Sequence, residues 1–406
     1  MTHLFWRHFF RGLVFTAALS EWICAAWILI VVAGVAIPLW MHLAAPLALH
    51  GLNRRVLGGA GPAMARLRGE GMRRAYVRVV FTSLFGMAFL LLNGLMWSVA
   101  GAGLQLASLA GLPVSPSGAL SGARWLGSAG LLGVAAALIH GYGRGQRDAA
   151  IVRLDVAVAG LARAFDGFRI LQLSDIHLGS FMDAARLRPY IEEANALEPD
   201  LVCITGDITD GLDHAAATFP VLAGLRARHG VVAILGNHDM YTGAQEVAAA
   251  LARYTDFTLL RDAAAVIEHD GARLHILGLD DMGLDWARGV REHPALAELC
   301  AAVPMREPMV LLSHRPDLFE QAAGLAVALV LSGHTHGGQI ALPWPAARPA
   351  SLARFMTRYP RGTFANGGST LHVNLGLGVT GQPVRVLTPR EITLVTLRNS
   401  EPESGD

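Results

Sequence analysis

The sequence has no lysine: all 33 of its basic residues are arginine. With 45 glycines and abundant alanine, this reads as the codon bias of a GC-rich genome, and no mechanism rests on it. Charge of either sign is scarce, at 16% of 406 residues against roughly 25% in an ordinary soluble domain. Apolar residues make up 53%, a balance that excludes a disordered chain and a collagen-like fibre. Cys24, Cys203 and Cys300 are too few and too scattered for a disulfide framework or a Cys-based zinc site. Acids are scarcest in residues 1–150, where Glu21, Glu70 and Asp148 stand against 12 arginines for a net +9. The remainder carries −8, from 21 arginines and 29 acids. That asymmetry excludes a basic face spread over the whole chain, so no nucleic acid polymer is expected as a partner.

Long apolar runs fill the cationic part. One extends from Trp22 to about His50, with no charge until Arg54; a second covers 79–109; a third, short and glycine-rich, covers 125–142. A membrane span needs roughly 20 apolar residues. Residues 1–150 are therefore expected to form an α-helical transmembrane domain of three or four spans, with the lipid bilayer as partner. Residues 5–48 suit one helix or two, Ser20-Glu21 being the potential break. Trp22, Trp40, Trp97 and Trp125 fall near the run ends, where interfacial aromatics belong. A cleavable signal peptide does not fit, because two further apolar runs follow and no small-residue cleavage site is well placed. Residues 51–78 carry seven arginines against one Glu, and Arg144, Arg147 and Arg153 follow the third run. Positive charge marks the cytoplasmic side. The expected location is the bacterial inner membrane, multi-pass, with the acidic part cytoplasmic.

From residue 151 to 398 short β-rich runs alternate with helical ones, before a polar tail over 399–406 that is expected to be disordered. Strands are predicted at 168–173, 201–204, 231–235, 273–278, 309–312, 327–331, 371–374 and 391–397. Helices are predicted at 183–197, 214–228 and 243–253. The alternation predicts an α/β core, and the helix-poor later part adds a more antiparallel sheet.

Five polar motifs each follow one of these strands: Ser174-Asp175-Ile176-His177, Thr205-Gly206-Asp207, Gly236-Asn237-His238-Asp239, Ser313-His314 and Gly333-His334-Thr335-His336. In α/β sheets the carboxyl ends of strands converge on one edge, where ligands bind. Carboxylate and imidazole without thiolate suit Mn, Fe or Zn. A D-x-H step on extended backbone sends both side chains to one side. One carboxylate, with Asp207 the first choice, can bridge two ions about 4 Å apart. Each motif alone is weak, since a lone D-x-H is usually a surface turn. Five in order, each behind an apolar strand, are not explained by chance. Asp239 is as suited to capping the next helix as to a chemical role. Arg315 suits a substrate phosphate and a structural ion pair equally, and Asp280-Asp281 reads as a turn that could line the site mouth.

SDIHLG, GDITDG, ILGNHDMYTGA, LLSHRPDLF, LSGHTHGGQIALP and PREITLVTL, spread over about 165–398, resemble the calcineurin-like metallophosphoesterases, most closely their membrane-associated YkuE/YaeI-type branch. The resemblance implies a four-layered α/β/β/α sandwich with two divalent metal ions. It implies that Asp175, His177 and His336 hold one ion, that Asn237, His314 and His334 hold the other, and that Asp207 bridges them. It also implies that His238 is a catalytic histidine near the leaving group and that Asp210 orients it. Leu375 stands where such enzymes commonly carry a polar or basic residue. The implied reaction is hydrolysis of a phosphodiester or pyrophosphate bond in a phosphate-ester substrate. A bilayer anchor favours an amphipathic substrate, and enzymes of this superfamily cleave UDP-2,3-diacylglucosamine in lipid A synthesis. A soluble diester, a cell-wall linkage, a phosphoprotein or a catalytically silent scaffold are the alternatives.

Overall fold

The computed structural model describes residues 2–57, 70–114, 117–147, 149–179, 181–284, 289–342 and 350–400. The chain divides into two compact units, Met1–His140 and Gly141–Asp406. Arg66 and Arg68 of the arginine-rich residues 51–78, residues 115–116 and the tail beyond residue 400 lie outside the described residues.

The first unit is helical: α1 (Thr2–Trp27) continuing as a π-helical turn (Ile28–Val32), α2 (Met41–Leu57), α3 (Glu70–Leu109) and α4 (Ser117–Tyr142). Among the described residues three stretches are long and apolar enough to cross a membrane: Val14–Val32, Ala75–Leu109 and Ser121–Gln146. Leu91, Leu92, Leu95, Val99, Leu106 and Leu109 are all exposed on α3, as a lipid-facing surface requires. The helix does not break at Ser20-Glu21. Ser20 instead hydrogen-bonds Ser83 of α3 at 2.8 Å, and Glu21 accepts from Asn53 of α2 at 2.8 Å. The first apolar run divides later, after Val32. Trp22 therefore lies inside a span, buried against His42, rather than at its end.

The second unit holds two six-stranded sheets. Its strands are β1 (Ala149–Val158), β2 (Arg169–Leu173), β3 (Leu201–Thr205), β4 (Val231–Ile234), β5 (Thr258–Leu259), β6 (Ala263–His269) and β7 (Ala272–Gly278). They continue as β8 (Met309–Leu312), β9 (Leu329–Ser332), the short β10 (Ala341–Leu342) and β11 (Ala350–Ser351), β12 (Gly362–Asn366), β13 (Ser369–Val373) and β14 (Arg390–Asn399). One sheet runs β1-β14-β2-β3-β4-β5 and the other β12-β13-β9-β8-β7-β6, while β10 and β11 pair with each other. β2, β3, β4 and β5 are mutually parallel, as are β7, β8, β9 and β13.

Side-chain alternation builds the layers. Leu201 and Cys203 of β3 point into the apolar cluster between the sheets, together with Val310, Leu312, Leu329 and Leu331. Val202 and Ile204 point the other way, against Leu187, Phe219 and Val247 of α5 (Ala184–Ala196), α6 (Ala215–Leu222) and α7 (Asn237–Tyr254). Leu311 and Val330 meet Leu296 and Phe319 of α8 (Pro294–Ala301) and α9 (Phe319–Gly324). The result is the four-layered α/β/β/α sandwich. Its central strands read as continuous apolar runs because both faces are covered, and each fully buried aliphatic side chain stabilises the fold by about 2 kcal/mol.

Two helix boundaries differ from the sequence pattern. α6 stops at Leu222, two residues before Gly224, rather than continuing to 228. α7 starts at Asn237 and absorbs a kink at Gly243 (φ 120), the residue that resembled its start.

Candidate metal centre

All five motifs lie at carboxyl ends of parallel strands: β2, β3, β4, β8 and β9. The loops that follow are unusual in backbone. Asp175, His177, Asp207, His334 and His336 all have left-handed φ, between 48° and 69°. The D-x-H step is thus not extended: Asp175 and His177 are two left-handed turns in alternation. Each such residue costs about 1–2 kcal/mol. Cross-loop hydrogen bonds hold the strain, with Asp175 N donating to Gly206 O, His177 N to Asp207 O and Leu178 N to Ile208 O at 2.9–3.0 Å.

The structure brings the predicted residues together. His177 Nε2 and His336 Nε2 are 3.0 Å apart, and His336 Nε2 is 3.4 Å from Asp175 Oδ1. Asp207 Oδ2 stands 3.6 Å from His177 Nε2 and 3.3 Å from His314 Nε2. Around His314 Nε2 lie Asn237 Oδ1 at 3.2 Å and His334 Nδ1 at 3.3 Å. Asp175, His177, Asp207, Asn237, His314 and His336 are all buried. Backbone donors from neighbouring motifs aim the carboxylates: His334 N donates to both oxygens of Asp175 at 3.0 Å, and His238 N donates to Asp207 Oδ1 at 2.8 Å.

The donor set fits cations. His314 Nδ1 faces the backbone carbonyl of Thr205 at 2.8 Å, so it must carry a proton there. His177 Nδ1 faces Asp210 Oδ1 at 2.7 Å, which fixes the same tautomer. In both rings the neutral form then turns the Nε2 lone pair toward Asp207. Burial alone would lower these imidazoles. The facing carboxylates outweigh it and raise His177 to about 9 and His314 to about 10. Burial and the adjacent His177 ring hold His336 well below its ordinary value. The cluster therefore demands positive charge, as protons or as metal ions. Among the described residues buried Asn237 Nδ2 has no hydrogen-bond partner, consistent with an amide oriented for its oxygen.

Beside this cluster, Asp210 Oδ1 accepts from His177 Nδ1 and from His238 Nδ1, at 2.7 and 2.8 Å. Burial raises Asp210, but those two hydrogen bonds prevail and keep it ionised. His238 is part-exposed and lines an open cavity of about 380 Å³ with Asp210, Asp213 and Tyr241.

The ambiguous residues resolve structurally. Buried Asp239 accepts from the backbone N–H groups of Gly236, Ile208 and Thr209, joining the start of α7 to the loop after Asp207. Arg315 pairs with Asp281 (Nε to Oδ2, 2.7 Å) inside the protein, and Asp280 pairs with Arg261. Leu375 packs over Gly337 of the G-H-T-H-G loop. Ser174, which opens the first motif, donates to Asp175 Oδ2 at 2.6 Å. Two further neighbours carried no sequence signal. Asn374 accepts from Gly376 N at 2.7 Å. Arg385, fully buried, donates to the carbonyls of Leu375, Gly376 and Gly378 and so shapes the loop beneath Asp175.

Residues 168–338 match the calcineurin-like phosphoesterase family. The uncharacterized metallophosphoesterase YkuE of Bacillus subtilis is 35% identical over 244 residues, covering 59% of this chain and 82% of that one. An uncharacterized metallophosphoesterase of Aquifex aeolicus is 33% identical over 236 residues, covering 57% of this chain and 85% of its own length. A transmembrane protein with metallophosphoesterase domain from Danio rerio is 28% identical over 269 residues, and the match covers 64% of this chain and 60% of that protein.

Proposed function

Because the chain belongs to the calcineurin-like metallophosphoesterases, we propose that it is a membrane-anchored hydrolase of phosphodiester or pyrophosphate bonds that works with two divalent metal ions. The observation that carries the reading is Asp207 Oδ2, flanked by His177 Nε2 and His314 Nε2, each ring held by an acceptor at its far nitrogen. Asp175, His177 and His336 would hold one ion, Asn237, His314 and His334 the other, and Asp207 would bridge. Imidazole and carboxylate donors suit Mn, Fe or Zn. When bound, the ions supply Lewis acidity that activates water and neutralises phosphoryl charge.

The chain's own residues do the rest. His238, on the open side, donates a proton to the departing oxygen. Asp210 orients that ring from its Nδ1 side and at the same time fixes His177, so leaving-group protonation and metal binding share one carboxylate. Apolar helices suited to spanning a bilayer support an amphipathic substrate, and UDP-2,3-diacylglucosamine is the specific choice. The arginine-rich residues 51–78 support a bacterial inner-membrane location with the site in the cytoplasm, which protease accessibility in sealed vesicles would check.

The deciding assay supplies detergent-purified protein with Mn²⁺ and UDP-2,3-diacylglucosamine, alongside a chromogenic diester and an Asp207→Asn control. Metal-dependent UMP release, lost in the variant, is the expected result. Cleavage of the chromogenic diester alone would retain the phosphoesterase and discard this substrate.

A further inference from the structure

A second cavity of about 380 Å³ contains none of the metal-centre side chains. Its walls come from Tyr142, Gln146 and Arg147, from Arg186 and Tyr190 of α5, and from Arg390 at the start of β14. Among the described residues three guanidinium groups and no carboxylate line it.

Arg390 is the core of the arrangement. It is 2% exposed, and its Nε donates to the carbonyl of Gln146 at 2.8 Å. Its Nη2 reaches Gln146 Oε1 at 3.4 Å, and the guanidinium lies 5.6 Å from the centre of the Tyr190 ring. Its Nη1 is buried and has no hydrogen-bond partner among the described residues. A buried guanidinium normally meets a carboxylate. Here burial disfavours its charge, Tyr190 favours it and Arg186, of the same sign, opposes it. Tyr190 donates its hydroxyl to the carbonyls of Gln146 and Arg147, at 3.3 and 2.9 Å, which ties that wall to α5. The wall is therefore built, and the Arg390 side chain is held in it. Arg147 and Arg186 are exposed and can close on a ligand from outside.

We propose that this pocket binds a phosphate group, carried by an anionic lipid head group or by a soluble phosphate. Convergent guanidiniums match the several oxygens of a tetrahedral oxyanion better than they match a single carboxylate. Gln146 also ends the third stretch apolar enough to cross a membrane, Ser121–Gln146, which makes a lipid head group one source of such a phosphate.

The test uses full-length, metal-loaded protein and follows its thermal unfolding. One arm titrates inorganic phosphate in neutral detergent. The other compares nanodiscs of phosphatidylcholine with nanodiscs containing phosphatidylglycerol. Wild type is set against Arg390→Gln and against the paired surface variant Arg147→Gln/Arg186→Gln, which removes only exposed side chains. Phosphate at the metal centre contributes equally to all three, so their difference isolates the pocket. The expected result is stabilisation of wild type, with the paired variant needing about tenfold more ligand for the same shift. A response to phosphatidylglycerol alone assigns the lipid head group, and a response to inorganic phosphate assigns a soluble anion. Equal shifts in wild type and variants, or no shift with either probe, would overturn the proposal.

Discussion

The imidazoles of His177 and His336 approach each other Nε2 to Nε2 at 3.0 Å. Two ring nitrogens this close share either a proton or a cation. If the centre holds metal, purified protein should contain about two divalent ions per chain, and chelation should lower its melting temperature. Elemental analysis before and after chelator treatment checks this. His336→Ala should leave at most one ion while the sandwich remains folded.

Metal-free protein should also show an unusual pH dependence. His177 and His314 titrate at about 9 and about 10 in the fold, against 6.5 when exposed. A raised folded value stabilises fully below the unfolded value and is lost as pH rises through the folded one. Chelated protein should therefore lose stability between pH 7 and pH 10, and each kcal/mol lost lowers the melting temperature by about 2–4 °C. Metal-loaded protein should lose less over that range, because binding displaces these protons and strengthens as they leave. Parallel melting curves with and without chelator decide it; curves that keep a constant separation would count against metal and protons sharing the site.

Asp210→Asn and His238→Ala should differ in kind. Asp210 Oδ1 touches Nδ1 of both His177 and His238, whereas His238 contributes no atom to the His177–His336 pair. Removing His238 should lower kcat by about 10²–10⁴-fold with metal content unchanged. Asp210→Asn should lower the rate and also weaken metal affinity by about 10–100-fold, because the tautomer of His177 is no longer fixed. Metal titration of both variants separates the two effects. Equal metal affinity in the two proteins would remove Asp210 from any metal-centre role.

Much of this was legible in the sequence because strand ends announce themselves. Apolar runs at 201–204 and 309–312, followed at once by Gly206-Asp207 and Ser313-His314, are strand and tip in one reading. Left-handed Asp175 and His177 were not legible, because that conformation is imposed by the loop after Asp207, which lies 30 residues along the chain. Arg385 carries no motif; its role arises only when β14 returns the chain beside the Leu375–Gly378 loop. Ser20-Glu21 resembled a helix break because two polar residues interrupt an apolar run. Their partners, Ser83 and Asn53, lie on other helices, and only tertiary packing reveals them.

Gly333→Ala is the sharpest test of how closely the motifs meet. A Cβ at Gly333 would lie 1.9 Å from Ser174 Oγ and 2.1 Å from Asp175 Oδ2, in the space where the β9 tip crosses the β2 tip. Neither neighbour is free to yield: Ser174 is hydrogen-bonded to Asp175, and Asp175 also accepts from His334 N. The methyl group must therefore push the Asp175 carboxylate away from His336, or spread the two sheets. The first is the smaller disturbance, since it moves one side chain rather than buried strands. Gly333→Ala should accordingly fold with unchanged far-ultraviolet circular dichroism, and lose about 10–100-fold in metal affinity. Gly324→Ala, whose Cβ would meet nothing within 4 Å, supplies the control and should behave as wild type. If Gly333→Ala bound metal with wild-type affinity, the carboxylate of Asp175 would not be the group that its neighbours hold against His336.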